Sequence, residues 1–557
     1  MVLGLKSSTV LFFFVAICCA QKVDKIYING SIWTGDDNYP SATAICVKGE
    51  KIIFVGPDKE ALLYKKRKTE IINLNGKFVT PGFIDNHVHF MNGGFQLSNV
   101  SLRDVTSKAD FQKKIVSHAQ TLSKNAWMVG GDWDHEMWGG HYPDKSWIDD
   151  VVPNQPVFLS RLDGHMALAN SKAMEIANIT PSTPDPPGGI IVKDKHNQPT
   201  GILKDEAISL ISSIAPQPST NELDKALEAA MDHALSFGVT QVHDMGTWES
   251  FETYRRNHEK GKLKLRIKVF PWYTNWKKII KNVTENGPGD DWLKWNGIKG
   301  MVDGSLGSRT AWMHKPYLKD QVSGEKEEME TVGIIVLQDT VGFKYILRQS
   351  DSANIQHAIH AIGDRANDWI LDEFEKIKLE HGEKDRRPRI EHSQHLSKSA
   401  VGRFGAENII PSMQPYHVYD DGSWAHKRID PDRLSRTYIF KTLIESGANL
   451  TFGSDWTVAP LNPMTGVYAA MTRYTRDGQN PKGWYPNEKI AIDDILKCYT
   501  INNAYAAFWD NTTGSISVGK NADFVVFNIN LLTAKPEDIL KAKPLRTVVG
   551  GKDYIFN

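Results

Sequence analysis

The chain reads as an α/β protein. We expect a (β/α)8 barrel of TIM type, a small β-sandwich built from both chain ends, and an insertion after the first barrel strand. Three observations lead there. The middle of the chain alternates strand-like apolar runs with helix-like stretches. Both ends carry short β-like runs with glycine turns, too few at either end for an independent sheet. Ionisable residues collect where the middle runs stop.

The middle runs are Phe83–His89, Val239–Asp244, Arg266–Trp272, Ile298–Asp303, Ile355–Ala361, Arg389–Ser393, Asn408–Met413 and Leu450–Asp455. Eight is the number a closed barrel of this type needs. Helix-like stretches such as Asn221–Phe237 and Arg365–Lys378 fall between them. The gap from His89 to Val239 is too long for one βα unit, so roughly 95–225 is read as an insertion. It holds strand-like Trp127–Gly131 and Val157–Arg161 and a Pro/Gly-rich loop at Pro181–Gly189.

At the ends, Lys25–Ile28, Ala44–Val47 and Lys51–Val55 precede the barrel, and Ala522–Phe527 and Arg546–Gly551 follow it. Pairing these two sets into one sandwich is the simplest solution. The expected division is a leader at 1–20, a composite sandwich from 21–80 and 512–557, and a barrel over 81–511.

The leader is read from Lys6, the apolar run Thr9–Cys19 and the small residues before Gln21, with cleavage after Ala20. That run falls short of the ~20 residues of a spanning helix; the alternative is an uncleaved anchor. Cleavage implies a secreted protein with no membrane association afterwards. Sequons at Asn29, Asn99, Asn178, Asn282, Asn449 and Asn511 are compatible with a glycoprotein. Cys46 and Cys498 then remain, in different parts of the fold, and are expected as buried free thiols. Lys+Arg and Asp+Glu both total 66, so nothing in the charge balance argues for a nucleic-acid partner.

The chemistry sits at strand ends. Phe83–His89 ends in His87-Val88-His89, and side chains two apart on a strand share a face. Alone the pair says little, because His-x-His is common. Its companions change that. His360, His392 and Asp455 each end a different apolar run, where barrel enzymes keep their chemistry. Lys299 lies inside a buried-type run, which is costly unless the amine is paired or modified.

These segments resemble the amidohydrolase superfamily. Pro81-Gly82-Phe83-Ile84-Asp85-Asn86-His87-Val88-His89 is similar to its first-strand signature. Asp303–Ala311, His360–Ala366 and Arg389–His392 resemble amidohydrolase family 3, the YtcJ-like proteins, which include N-substituted formamide deformylase. Asn29–Thr34 and Val47–Ile52 at the front and Gly514–Asp523 at the back also fit, so the resemblance spans nearly the whole mature chain. It implies His87, His89, His360 and His392 as metal ligands. It implies Lys299 as the fourth-strand lysine that bridges two metals when carboxylated, and Asp455 as ligand and proton shuttle.

The expected cofactor is a divalent metal, zinc by preference, as one or two ions, a bare Lys299 favouring one. The expected reaction is hydrolysis of a non-peptide amide, N-formyl or cyclic amide bond in a small molecule. Arg309 and His243 are candidates for substrate binding or oxyanion stabilisation. Trp133 and His165 sit in polar and aromatic motifs of the insertion, as substrate contacts or as parts of a structural network. Two alternatives stay open: lactone or ester hydrolysis or isomerisation at the same site, and a catalytically silent secreted binding protein. A homodimer is likewise left open.

Overall fold

The computed structural model describes residues 22–556 apart from 124–125, 163, 165, 187–188, 308 and 320–330. The leader read at 1–20 and His165 therefore lie outside the described residues. Phe90–Ala230 forms one compact unit, and the other described residues form a second.

The second unit is built on eight parallel strands in chain order. They are β1 (Phe83–Val88), β2 (Val239–Asp244), β3 (Arg266–Val269), β4 (Gly297–Met301), β5 (Gln356–Ala361), β6 (Arg389–His392), β7 (Ile410–Met413) and β8 (Thr451–Phe452). Each falls within, or overlaps by all but one residue, a run read from the sequence. β1, β2 and β3 pair in order in one sheet, and β4 to β8 pair in order in another. Isolated parallel bridges, Val88 with Trp456 and Trp272 with Lys299, bring the edges of the two sheets together on both sides.

Helices alternate with most of these strands along the chain. Asp364–His381, for example, follows β5 and ends at Gly382, whose φ of 74° only glycine adopts without strain. Nearly every residue of these strands is buried, so both faces are covered, as parallel strands require. Polar residues that point inward must then pair with one another, and that requirement shapes the site described below.

The chain ends build two sheets and share one of them. A six-stranded sheet runs Lys552–Ile555, Pro544–Val549, Phe524–Phe527, Phe78–Pro81, Ser31–Trp33, Ser41–Ala42. A four-stranded sheet runs Lys51–Gly56, Ala44–Lys48, Lys25–Ile28, Glu70–Asn73. The antiparallel pairing of Phe78–Pro81 with Phe524–Phe527 joins front to back. Tyr27, Ile45, Val79, Phe524, Val526 and Val548 pack into one core between these strands. Arg266 of β3 ties this part to the parallel strands. Its Nε and Nη2 donate to Asp523 at 2.6 and 3.0 Å, with both side chains buried. Cys46 and Cys498 are buried and unpaired, as expected. No described helix is long and apolar enough to cross a membrane.

The Phe90–Ala230 unit carries its own six-stranded sheet, in the order Gly189–Lys193, Pro199–Asp205, Met166–Ala169, Val157–Arg161, Met128–Trp133, Val100–Ser101. Trp133 has 0% exposure, packs in a core with Phe111, Ile148 and Leu168, and donates its indole N–H to Leu159 O at 2.9 Å. This corrects the reading of Trp133 as a substrate contact. Its ring is consumed by packing and its one donor is satisfied internally.

Candidate metal centre

His87 lies on β1 and His89 directly follows it; Lys299, His360 and His392 lie on β4, β5 and β6. Asp455 stands three residues past β8 and is held against β1, its N–H donating to His87 O at 2.7 Å. His89 N–H donates in turn to Trp456 O at 2.6 Å. These two bonds lock the first strand to the last and bring ligands far apart in sequence side by side. His392 and Asp455 have φ of 73° and 60°, a region non-glycine residues enter at a cost of order 1–3 kcal/mol. Such strain at two candidate ligands is a reason to expect function there.

One donor atom each from His87, His89 and Asp455 lies within 4.8 Å of the others. Asp455 Oδ1 is 3.6 Å from His87 Nε2 and 3.4 Å from His89 Nε2. The ring of His392 is 4.8 Å from that of His87 and 4.4 Å from that of His360. His87 Nε2 and Asp455 Oδ1 are buried and have no hydrogen-bond partner. Buried polar atoms are rarely left so, and a cation between them would satisfy both. The donor set, imidazoles with a carboxylate, suits zinc and its neighbours. The residues present therefore fit a metal.

The electrostatics agree. Burial, aided by the Lys299 charge, pulls His87 down to about 4 and His360 to about 3. Burial and the neighbouring His360 and His87 hold His392 well below the usual range. All three rings are neutral near pH 7, the state in which an imidazole binds metal. Burial lowers Lys299 to about 8, against the pull of Glu391 and Asp455. Burial pushes the Asp455 carboxyl upward, but the surrounding His89, His87 and His392 hold it well below the usual carboxylate range.

Residues 70–553 match the model of the amidohydrolase family. The chain belongs to the amidohydrolase family. This amidohydrolase is 37% identical over 542 residues to the protein LONG AFTER FAR-RED 3 of Arabidopsis thaliana, covering 95% of this chain and 91% of that one. It is 25% identical to N-substituted formamide deformylase of Arthrobacter pascens, covering 95% and 98%. Among solved structures, a metal-dependent hydrolase of Pyrococcus furiosus matches with a TM-score of 0.74 at 26% identity, over 91% of this chain and all of that one. The fold is of the TIM-like α/β kind.

One reading of the amidohydrolase changes with its structure. His243 is not placed to meet a substrate. It is fully buried on β2, with Nδ1 2.9 Å from Arg389 Nη1 and Nε2 2.9 Å from the Gln241 amide. Both ring nitrogens are spent on the interior of the sheet. Arg309 is half-buried, with φ of 61°, on the loop after β4 whose Gly304 O lies 3.2 Å from His360 Nε2. That loop borders the centre, so Arg309 keeps its candidacy.

Sequence reasoning passed over Glu391 and Gln414. Glu391 Oε2 is 2.6 Å from His87 Nδ1, and Gln414 Oε1 is 2.7 Å from His392 Nδ1. The signal for Glu391 was present: an acidic residue beside His392 in an apolar run needs a buried partner.

Proposed function

We propose that this amidohydrolase is a metal-dependent hydrolase that uses water to cleave a carbon–nitrogen bond of amide type in a small molecule. The observation that carries the reading is the meeting of His87 Nε2, His89 Nε2 and Asp455 Oδ1, two of them buried and without partners. The likeness to N-substituted formamide deformylase supports the choice of bond.

His87, His89, His360, His392 and Asp455 would hold the metal, with zinc the best match to the donors. Carboxylation of Lys299 would add a bridging oxygen pair and room for a second ion. The metal supplies Lewis acidity toward a carbonyl oxygen and lowers the pKa of water toward ~7. The residues do the rest. Asp455, with Oδ1 turned to the histidines, keeps Oδ2 to accept a proton from the attacking water and return it to the leaving nitrogen. Arg309, on the loop after β4, would bind the substrate or the oxyanion that forms.

We read the eight strands as a closed (β/α)8 barrel beside a composite sandwich, and the chain as secreted through its leader. Asn29, Asn178 and Asn511 are exposed sequon asparagines, as glycosylation would require.

The test is elemental analysis of the full chain together with a panel of N-substituted formamides, cyclic imides and lactones. The expected result is one or two zinc ions per chain, and formamide turnover that chelation abolishes and zinc restores. Turnover of lactones alone would overturn the carbon–nitrogen assignment. Less than one equivalent of metal, with no activity on adding zinc, would overturn the hydrolase reading in favour of a binding protein.

A further inference from the structure

Glu391 is fully buried, lies beside His392 and takes no part in the steps above. Its carboxylate accepts at both oxygens. Arg389 Nε donates to Oε1 at 2.8 Å and Arg389 Nη2 to Oε2 at 3.0 Å. Ser412 Oγ donates to Oε2 at 2.5 Å. The remaining short contact, 2.6 Å from Oε2, is to His87 Nδ1.

An ionised carboxylate has no proton to give, so the proton in that contact belongs to His87 Nδ1. A neutral ring protonated at Nδ1 carries its lone pair on Nε2. That is the buried, unpartnered atom that faces Asp455. The same reasoning extends behind Glu391. A guanidinium cannot accept, so the 2.9 Å contact of Arg389 Nη1 with His243 Nδ1 requires His243 to be neutral with its proton on Nε2. Arg389 Nη2 also donates to Asn86 O at 2.5 Å, one residue from His87. Four strands are thus tied together: β2 through His243, β6 through Arg389 and Glu391, β1 through Asn86 and His87, and β7 through Ser412. Each donor that reaches Glu391 meets a carboxylate oxygen, and reversing the His87 tautomer would set a bare Nδ1 against a carboxylate.

We propose that Glu391 is a positioning residue which, backed by Arg389, fixes His87 in its Nδ1–H tautomer and turns Nε2 to the metal. This rests on the metal reading above. A carboxylate on the far nitrogen also raises the basicity of the ring toward a metal, and removing such partners weakens metal binding by about 10–100-fold. The amide introduced by Glu391→Gln could not take over the role. If its oxygen faced His87, its nitrogen would face Arg389 Nε, donor against donor.

Two measurements on the full chain test this. The first is zinc titration of the metal-free wild type and Glu391→Gln. The second is nitrogen-15 NMR of the histidine-labelled, metal-free wild type, with the His87 signal assigned by its loss in His87→Gln. The expected results are zinc affinity about 10–100-fold weaker in Glu391→Gln, and a wild-type His87 protonated at Nδ1. A wild-type His87 protonated at Nε2 overturns the proposal even if the Glu391 variant does not fold. Equal zinc affinity in the two proteins, with zinc bound by the wild type, overturns the proposal alone. A wild type that takes up no zinc overturns the metal reading and this inference with it.

Discussion

His89 Nε2 and Asp455 Oδ1 stand 3.4 Å apart, although one follows the first parallel strand and the other the last. The carboxylate is buried, and its charge is tolerated because the imidazoles of His89, His87 and His392 surround it, as the proposed cation would. Asp455→Asn keeps the shape and one coordinating oxygen but removes the proton acceptor. The expected outcome is a chain that still takes up zinc yet turns over an amide substrate about 10²–10⁴-fold more slowly. Parallel zinc analysis and steady-state kinetics check it. Near-normal turnover would remove Asp455 from the proton transfer.

The buried Arg266–Asp523 pair ties the parallel strands to the composite sheets. Arg266 also donates to Asp291 O at 2.6 Å and lies 4.6 Å from the Trp292 ring, while Gly550 N–H donates to Asp523 Oδ1. Removing one partner leaves the other charged and buried. Asp523→Ala is therefore expected to lower the unfolding free energy by about 3–5 kcal/mol. The double replacement Arg266→Met with Asp523→Leu should recover most of that loss, since neither charge then has to be desolvated. Denaturant unfolding of the wild type and both variants decides between this and a pair that contributes nothing.

Asp421 supplies a dependence on pH away from the proposed ligands. It ends the helix Tyr416–Asp421 after β7, and its Oδ2 accepts from Tyr438 Oη at 2.6 Å and Gln394 Nε2 at 2.9 Å. Burial raises its pKa from 3.8 to about 6, with His417, Tyr438 and Gln394 opposing. The folded chain then binds this proton more tightly than the unfolded one, so stability falls as pH rises from about 4 to about 6 and is flat beyond. The loss amounts to at most about 3 kcal/mol. Asp421→Asn should erase that slope and be the more stable protein at pH ~7.5. Unfolding curves at pH values of about 4, 6 and 7.5 would show it, and parallel curves for both proteins would refute it.

Much of this was legible in the sequence. The eight parallel strands are apolar runs whose both faces are buried, so they stand out without any periodicity. His87, His89, His360, His392 and Asp455 were legible because each interrupts or ends such a run. What escaped were residues whose role depends on a partner from another strand. Glu391 and Arg389 occupy the same strand as His392, but their meaning lies in His87 and His243, 304 and 146 positions away. Trp133 failed in the opposite direction. Its polar neighbours Asp132 and Asp134 suggested a binding loop, while a register shift between Gly131 and Trp133 turned the indole into the core that also holds Met128.

Gly453 is where the closeness of β1 and β8 can be tested directly. A Cβ there would lie 2.5 Å from Asn86 Oδ1 and 2.7 Å from both Asp85 Oδ1 and His87 N. None of the three can yield freely. Asn86 Nδ2 is bonded to Ser412 and Thr451, Asp85 Oδ1 accepts from Ser454 N and His87 N, and the third atom is backbone. Gly453→Ala must therefore push the segment bearing Asp455 away from the one bearing His87. A shift of a few tenths of an ångström there matters more to the ligand set than to the core. We expect overpacking to cost about 1–3 kcal/mol and zinc affinity to fall at least ~10-fold, as it does when the groups that orient metal ligands are disturbed. Zinc titration beside thermal unfolding separates the two effects. If Gly453→Ala binds zinc like the wild type, the seating of β8 on β1 is not what holds Asp455 at His87.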